Sequence, residues 1–393
     1  MTKQRDMISP VPTKSDLVER ARELAKLFAQ EADEAENIRR PTDRAVEALC
    51  SSELLKILVP RVYGGFECDF DTFFEVGLAL SEGDASLAWV SNFYIEHVWI
   101  FSLFPKELQD EVFADRSYAL APSMLSPNGK VTRVDGGYRL NGRWSWSTGI
   151  MHAEWILPSA IVVQEDGKKI PMMFALPRSE VEVEDVWFID GMRGTGSNDV
   201  IIEDVFVPDG RLVPFQDMVE GKAPGVKQHP GPLYKTPMLP MLALAAAMPA
   251  LGQARAALRM YKEKLEERLE NGGTRRVGSA SYMRLAHAEV RVEQTYSMLS
   301  NLVKEVMEIR EKSTRTDRTR WAVQLAYAVD QSKRVIGDLC EAAGASSHFE
   351  KNRMGRAVRD INTVGSHIVF DLDARLELHG TQLLGQEIPG ILV

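Results

Sequence analysis

The chain has 393 residues, 45% of them hydrophobic and 26% charged, with a formal net charge of −9. That composition belongs to a globular protein long enough for roughly two or three packed units. No basic run interleaves with aromatic residues, and the acidic balance disfavours polyanions, so nucleic acid and anionic membrane surfaces are excluded as expected partners.

Cys50, Cys68 and Cys340 are odd in number and far apart, which is neither a disulfide framework nor a zinc spacing. They fit a reducing cytoplasm. Residues 1–14 are polar and lack the apolar core of a signal peptide. The most apolar run, 238–251, is shorter than a bilayer span and contains Pro240 and Pro249. A cytoplasmic protein without a membrane segment is the expectation.

Taken in order, Thr13 and Asp16 predict a capping box, followed by Leu17, Ala21, Leu24, Ala25, Phe28 and Ala32 at helical spacing. Thr42 predicts the cap of a second helix over 43–58, stopped by Pro60, Gly64 and Gly65. A helix is predicted over 71–81. Asp84 caps the next, which carries His97 among Phe93, Tyr94, Trp99 and Phe101. A short helix over 106–113 closes this part. From about residue 118 the period changes. Residues 130–146, broken by Asp135, Gly136 and Gly137, read as a hairpin, and 155–163, 170–176, 181–188 and 200–207 add strands. Residues 221–237, rich in Gly, Pro and Lys, read as a linker or mobile loop. Helices over 239–269, 279–312, 316–343 and 360–378 with short breaks argue an antiparallel bundle.

The expected class is therefore α+β: a helical domain over 1–115, a small β-barrel or sheet domain over 116–235, and a four-helix bundle over 236–393. Two stretches of the β part stand out. One holds Trp144, Trp146, Ser147, Thr148 and Gly149; the other holds Gly191, Met192, Arg193, Gly194, Thr195, Gly196 and Ser197. Aromatic rings, hydroxyls and glycines at strand ends suit a flat, polar-edged ligand such as a flavin.

With Pro60, Tyr63, Gly64 and Gly65 before them, and Gly252, Gln253, Arg359 and Asp360 after them, these motifs resemble the acyl-CoA dehydrogenase superfamily over nearly the whole chain. In that family a carboxylate base takes the substrate α-proton. It comes either from just after the Arg-Asp pair or from early in the first bundle helix. Here 361–370 holds no carboxylate, the first position falls near Ile368 beside His367, and no Asp or Glu lies between Glu220 and Glu263. With both positions empty, the chain resembles the branch of that fold made of two-component flavin monooxygenases, the group D hydroxylases. The resemblance implies an oxygenase component that takes reduced FMN or FAD from a separate NAD(P)H:flavin reductase. It would add oxygen at C4a to give a hydroperoxide, and hydroxylate a small aromatic substrate, phenolic or indole-like. It also implies a homotetramer.

The same resemblance assigns roles. Ser147 is expected at flavin N5, with Thr148 as the neighbouring alternative; the plainer reading is a strand-end hydroxyl capping the backbone. His367 is expected as catalytic imidazole, able to protonate a peroxide or deprotonate a phenol. Arg359, Thr363 and His367, spaced i, i+4, i+8, are expected on one helix face. His97 is the second catalytic candidate, against a plain core reading. Trp146, Arg193, Ser197, Arg275, His348 and Arg359 are expected to contact flavin; salt bridging competes for Arg359 and an exposed basic turn for Arg275. His152, just after the strand end, reads as closing a turn with a flavin contact as the alternative, and His229 and His287 read as surface residues. No histidine pair has metal-ligand spacing, so no metal is expected. A thioester dehydrogenase with an unrecognised base, and a non-catalytic relative, are the competing readings.

Overall fold

The computed structural model describes residues 11–271 and 277–386. Helix α1 (Lys14–Ile38) starts on the expected capping box: the Thr13 hydroxyl accepts from the Asp16 N–H, and the Asp16 carboxylate accepts the Thr13 N–H. Its buried face runs from Leu17 to Ala35. Helix α2 (Asp43–Ser51) is capped by Thr42 but stops at Ser51 rather than near 58, because Glu53 takes a left-handed φ of 66° and turns the chain. Asp69 caps α3 (Phe70–Ser81) and Asp84 caps α4 (Ala85–Phe101). A short α5 (Lys106–Val112) follows. Every residue of α4 except Phe93 is buried. A helix buried on all sides is a central one, and α4 is packed by α1, α3 and the later α7 (Met238–Glu270).

The β region holds β1 (Ser123–Met124), β2 (Lys130–Val134), β3 (Gly137–Ser147), β4 (Trp155–Val163), β5 (Lys169–Phe174), β6 (Leu176–Pro177), β7 (Glu182–Glu184), β8 (Asn198–Pro208) and β9 (Leu212–Pro214). They form two sheets, ordered β1-β4-β5-β9, with β6 also on β4, and β2-β3-β8-β7. Leu140, Trp144, Ile156, Phe174, Val200 and Ile202 form a core of their own between them. The strand expected over 181–188 shrinks to β7. The Asn198 side-chain carbonyl accepts the N–H groups of Val186 and Trp187 and draws the chain out of the sheet.

After α6 (Phe215–Val219), the Gly/Pro-rich segment is seated rather than loose. A Cβ at Gly225 would lie 1.9 Å from the Ser102 carbonyl. His229 is 8% exposed, not a surface residue; its Nε2 lies 2.7 Å from Gln109 Oε1 and its ring against Tyr234.

The bundle comprises α7, α8 (Ser279–Ile309), α9 (Arg315–Ala343), α10 (Arg353–Gly365) and α11 (Leu372–Leu383). By length and composition α7 could cross a membrane, yet 89% of its apolar window is buried within the protein. The helix expected over 360–378 is two helices. Asn352 caps α10, which ends at Gly365; Asp371 caps α11. His367 lies in the break, outside any continuous helix face.

Candidate functional site

Strand β3 is pinned at its last turn by Asp199. That carboxylate accepts from Arg143 Nε at 2.7 Å, Ser145 Oγ at 3.1 Å and the Trp146 N–H at 3.4 Å. Between Trp144 and Ser147 the register slips, and Trp146 takes a φ of 65°, so its ring stands 68% exposed while Trp144 stays in the core. Such a bulge re-aims side chains at the end of a strand. Ser147 pairs again with Asn198, and its hydroxyl is fully buried with no hydrogen-bond partner. Gly149 follows with φ 75°; a Cβ there would meet the Tyr94 hydroxyl at 2.6 Å, and that hydroxyl donates to the Gly149 carbonyl.

The loop from Gly191 to Ser197 packs against β3 through a chain of hydroxyls. Trp89 Nε1 lies 3.3 Å from Thr148 Oγ1, Thr148 Oγ1 lies 3.0 Å from Ser197 Oγ, Ser197 Oγ lies 2.8 Å from Thr195 Oγ1, and Thr195 donates to the Met192 carbonyl at 2.9 Å. An indole N–H only donates and a carbonyl only accepts, so the direction of the whole chain is set. Thr195 spends its proton on Met192, Ser197 donates to Thr195, and Thr148 donates to Ser197. Thr148 thus has no proton left for a ligand, whereas Ser147 keeps its own.

On α4, Trp89, Phe93 and His97 share a face at spacing i, i+4, i+8. Their rings stand in sequence, Trp89 to Phe93 at 5.1 Å and Phe93 to His97 at 5.2 Å, and Trp89 meets His367 at 6.1 Å on its other side. The two candidate histidines therefore flank the Trp89–Phe93 pair. His97 is buried, with Nδ1 2.7 Å from the Ala121 carbonyl. A carbonyl cannot donate, so Nδ1 carries the proton and Nε2 is an acceptor. Burial lowers the His97 pKa to about 4, against a pull upward from the Ala121 bond, so the ring is neutral near pH 7. His367 is built the other way. Its Nδ1 accepts the Val369 N–H at 3.2 Å, so in the neutral ring Nε2 carries the proton and donates. The ring is solvent-open on one side and crowded on the others, and the crowding lowers its pKa.

The remaining expected residues fall elsewhere. Arg359 pairs with Glu36 of α1 at 2.5 Å, and Arg193 donates to the Glu36 carbonyl at 3.2 Å. Arg356 pairs with the same carboxylate at 2.8 Å. These guanidiniums clamp the end of α1 to α10 and to the 191–197 loop. Asp360 accepts the Met192 N–H at 2.6 Å, and burial together with the neighbouring Asp84 raises its pKa to about 8. Gly191 is pressed onto α10, where a Cβ would lie 2.2 Å from the Arg359 carbonyl. His152 bridges to Asp43 at 2.9 Å. His348 is exposed in the loop after α9. Arg275 lies outside the described residues.

Glu96 escaped the sequence reading. It is fully buried, neither carboxyl oxygen has a hydrogen-bond partner, and Oε2 lies 3.7 Å from His97 Nε2. Burial drives its pKa well up and so favours the neutral carboxyl. Leaving such a group unpaired costs about 1–3 kcal/mol. The signal was present as the one acidic residue of a mostly apolar and aromatic helix.

The arrangement fits a reduced flavin. The buried Ser147 hydroxyl has hydrogen-bond capacity that no protein group uses. Trp89 reaches the strand end through Thr148 and has His367 beside it, and no cluster of metal-ligating side chains exists among the described residues. The family described as acyl-CoA dehydrogenase, C-terminal domain, matches residues 244–372. The chain is 32% identical to a pigment production hydroxylase of Rhodococcus sp. (strain ATCC 21145), over 94% of this chain and 96% of that one. It is 30% identical to the oxygenase component of an FADH2-dependent resorcinol hydroxylase of Rhizobium sp. (strain MTP-10005), over 95% of each. Its fold superposes on that of XiaF from Streptomyces sp., solved with FADH2 and glycerol, at a TM-score of 0.87 and 27% identity, covering 96% of this chain and 98% of that one.

Proposed function

The chain belongs to the flavin-dependent monooxygenase oxygenase components built on the acyl-CoA dehydrogenase fold, and on that premise we propose that it hydroxylates a small aromatic substrate at the end of β3, using reduced FMN or FAD and O2. The observation that carries this reading is the pair of oppositely wired histidines on one aromatic row beside the unpartnered Ser147 hydroxyl. Reduced flavin, when bound, would supply with O2 the oxygen atom that is transferred.

The chain's own groups do the rest. Ser147 offers the free hydroxyl at the cofactor edge, since Thr148 is committed to Ser197. His367 presents Nε2–H and holds a proton where oxygen is handled. His97 presents a lone pair at Nε2 and accepts the proton of a substrate hydroxyl. Trp89 and Phe93 provide a dry wall between the two tasks, excluding the water that would release peroxide. Trp146 stands at the open edge of the same strand end.

A separate reductase supplying the flavin follows from the oxygenase-component reading. Exposed Tyr282, Met283 and Val290 on α8, with Leu376, Leu383 and Leu384 at α11, support burial of the bundle in a homotetramer. The three free cysteines support a reducing, cytoplasmic setting.

The test combines the protein with reduced flavin from any NADH-driven reductase, O2 and a panel of phenols and indoles. A product carrying one oxygen from O2 is expected. Tightly held oxidised flavin that an acyl-CoA thioester bleaches without O2 would establish a dehydrogenase instead.

A further inference from the structure

We propose that Glu96 is a specificity residue: its carboxyl and the His97 imidazole together grip one hydroxyl of the aromatic substrate, Glu96 donating to it and His97 accepting from it. This rests on the aromatic-hydroxylase reading and names the substrate class as one bearing a hydroxyl.

The geometry carries the inference. Glu96 Oε2 and His97 Nε2 are 3.7 Å apart. That is too far for a bond between them, and an oxygen about 2.8 Å from both would bridge them; neither carboxyl oxygen is open to solvent in this structure, so a substrate hydroxyl enters by displacing a neighbouring side chain. The Ala121 carbonyl holds the proton of His97 on Nδ1, leaving Nε2 as a pure acceptor. Both oxygens of Glu96 are without partners, as is Asn92 Oδ1 one turn earlier on the same helix. Asn92 Oδ1 and Met248 of α7 both close on Gly77 of α3, so this side of α4 faces α3 and α7, whereas Phe93 and His97 face the aromatic row. The carboxyl therefore reaches the reaction site only past His97. Buried polar groups are normally paired, and an orphan in the interior needs a ligand, a water or a mechanistic reason. A neutral carboxylic acid beside an imidazole lone pair is complementary to a group that both accepts and donates. A phenol O–H does both. An indole N–H only donates and an aryl ether only accepts, so each leaves one of the two residues unmatched.

The experiment measures binding by calorimetry to the protein loaded with reduced flavin under anaerobic conditions, with 4-methylphenol, 4-methylanisole and indole as probes. Wild type is expected to bind the phenol at least tenfold more tightly than the ether. Glu96→Leu is expected to erase that ratio. Glu96→Gln, whose amide still donates, should keep it within about threefold. Glu96→Leu should also raise Tm, because a buried orphan carboxyl is replaced by an apolar group of similar size. If Glu96→Leu does not fold, Glu96→Met serves the same purpose. An unchanged phenol-to-ether ratio in the apolar variant overturns the proposal, as does loss of the ratio in Glu96→Gln or a wild type without preference. Turnover separates the two readings. Aromatic oxygenation with no phenol preference sinks only the Glu96 assignment. A phenol preference without oxygenation of any aromatic sinks only the oxygenase reading.

Discussion

The two histidines at the ends of the Trp89–Phe93 row differ in which way their backbone partners face. His97 is on a buried helix and donates its Nδ1–H to a carbonyl; His367 is in a helix break and accepts an N–H at Nδ1. The same side chain thus presents an acceptor at one end of the row and a donor at the other. Under the proposed function, tautomer, set by a single backbone contact, would divide the acid and base roles that one imidazole type could otherwise fill in either order.

The largest expected effect comes from removing the acceptor. His97→Ala should lower product formation by about 10²–10⁴-fold while flavin reoxidation by O2 continues, read by comparing product with peroxide. Equal loss of both would mean His97 serves the cofactor and not the substrate. Next is the frame that holds the row. Gly149→Ala forces a methyl against the Tyr94 hydroxyl at a left-handed φ. It should cost about 1–3 kcal/mol from overpacking and roughly 1–2 kcal/mol more from the backbone, measured by urea unfolding. A loss below about 0.5 kcal/mol would show that β3 does not lean on α4 there.

A third test uses pH. The His97 pKa falls from 6.5 to about 4 on burial. Below 6.5 the unfolded chain takes up a proton that the native state refuses. Stability from this group is therefore whole above pH 6.5 and lost as pH falls through about 4, at about 1.4 kcal/mol per pH unit. Glu96, raised by burial, acts in the opposite sense: its contribution is whole below 4.5 and lost as pH rises above it. His97→Phe should flatten the first slope by about one proton. An unchanged slope would place the titration elsewhere. The smallest effect belongs to the hydroxyl chain. Thr148→Val breaks the bonds to Trp89 and Ser197 and should cost about 1 kcal/mol with flavin affinity nearly kept, whereas Ser147→Ala should weaken flavin binding and leave stability nearly unchanged. The reverse pattern would exchange their roles.

Much of the frame was legible because its signals are local. Thr13 with Asp16, and Asp84 before an apolar run, announce helix starts, and the strand β4 matches its apolar run from end to end. Gly149 and Gly191 were visible as glycines, though the backbone contacts that require them were not. What failed was tertiary. Arg359, Thr363 and His367 fit a helical period, yet Gly365 ends α10 before the third is reached. Arg359 finds its partner in Glu36, 323 residues away, so no spacing could reveal it. His229 looked exposed within a Gly/Pro-rich stretch, and Gln109 and Tyr234 bury it. Glu96 stands at neither position a dehydrogenase base would occupy, and only the fold shows that it is buried beside the His97 ring.

The most direct measurement is the parallel determination of substrate KM and of product formed per reduced flavin consumed, in wild type, His97→Ala and His367→Ala. Opposed wiring predicts a split. Product per flavin falls in both variants, but only His97→Ala raises KM, whereas His367→Ala leaves KM near wild type and loses product solely by diverting oxygen to free peroxide. If the two variants show the same defect in both quantities, the histidines act as one unit and the division of roles along the aromatic row is wrong.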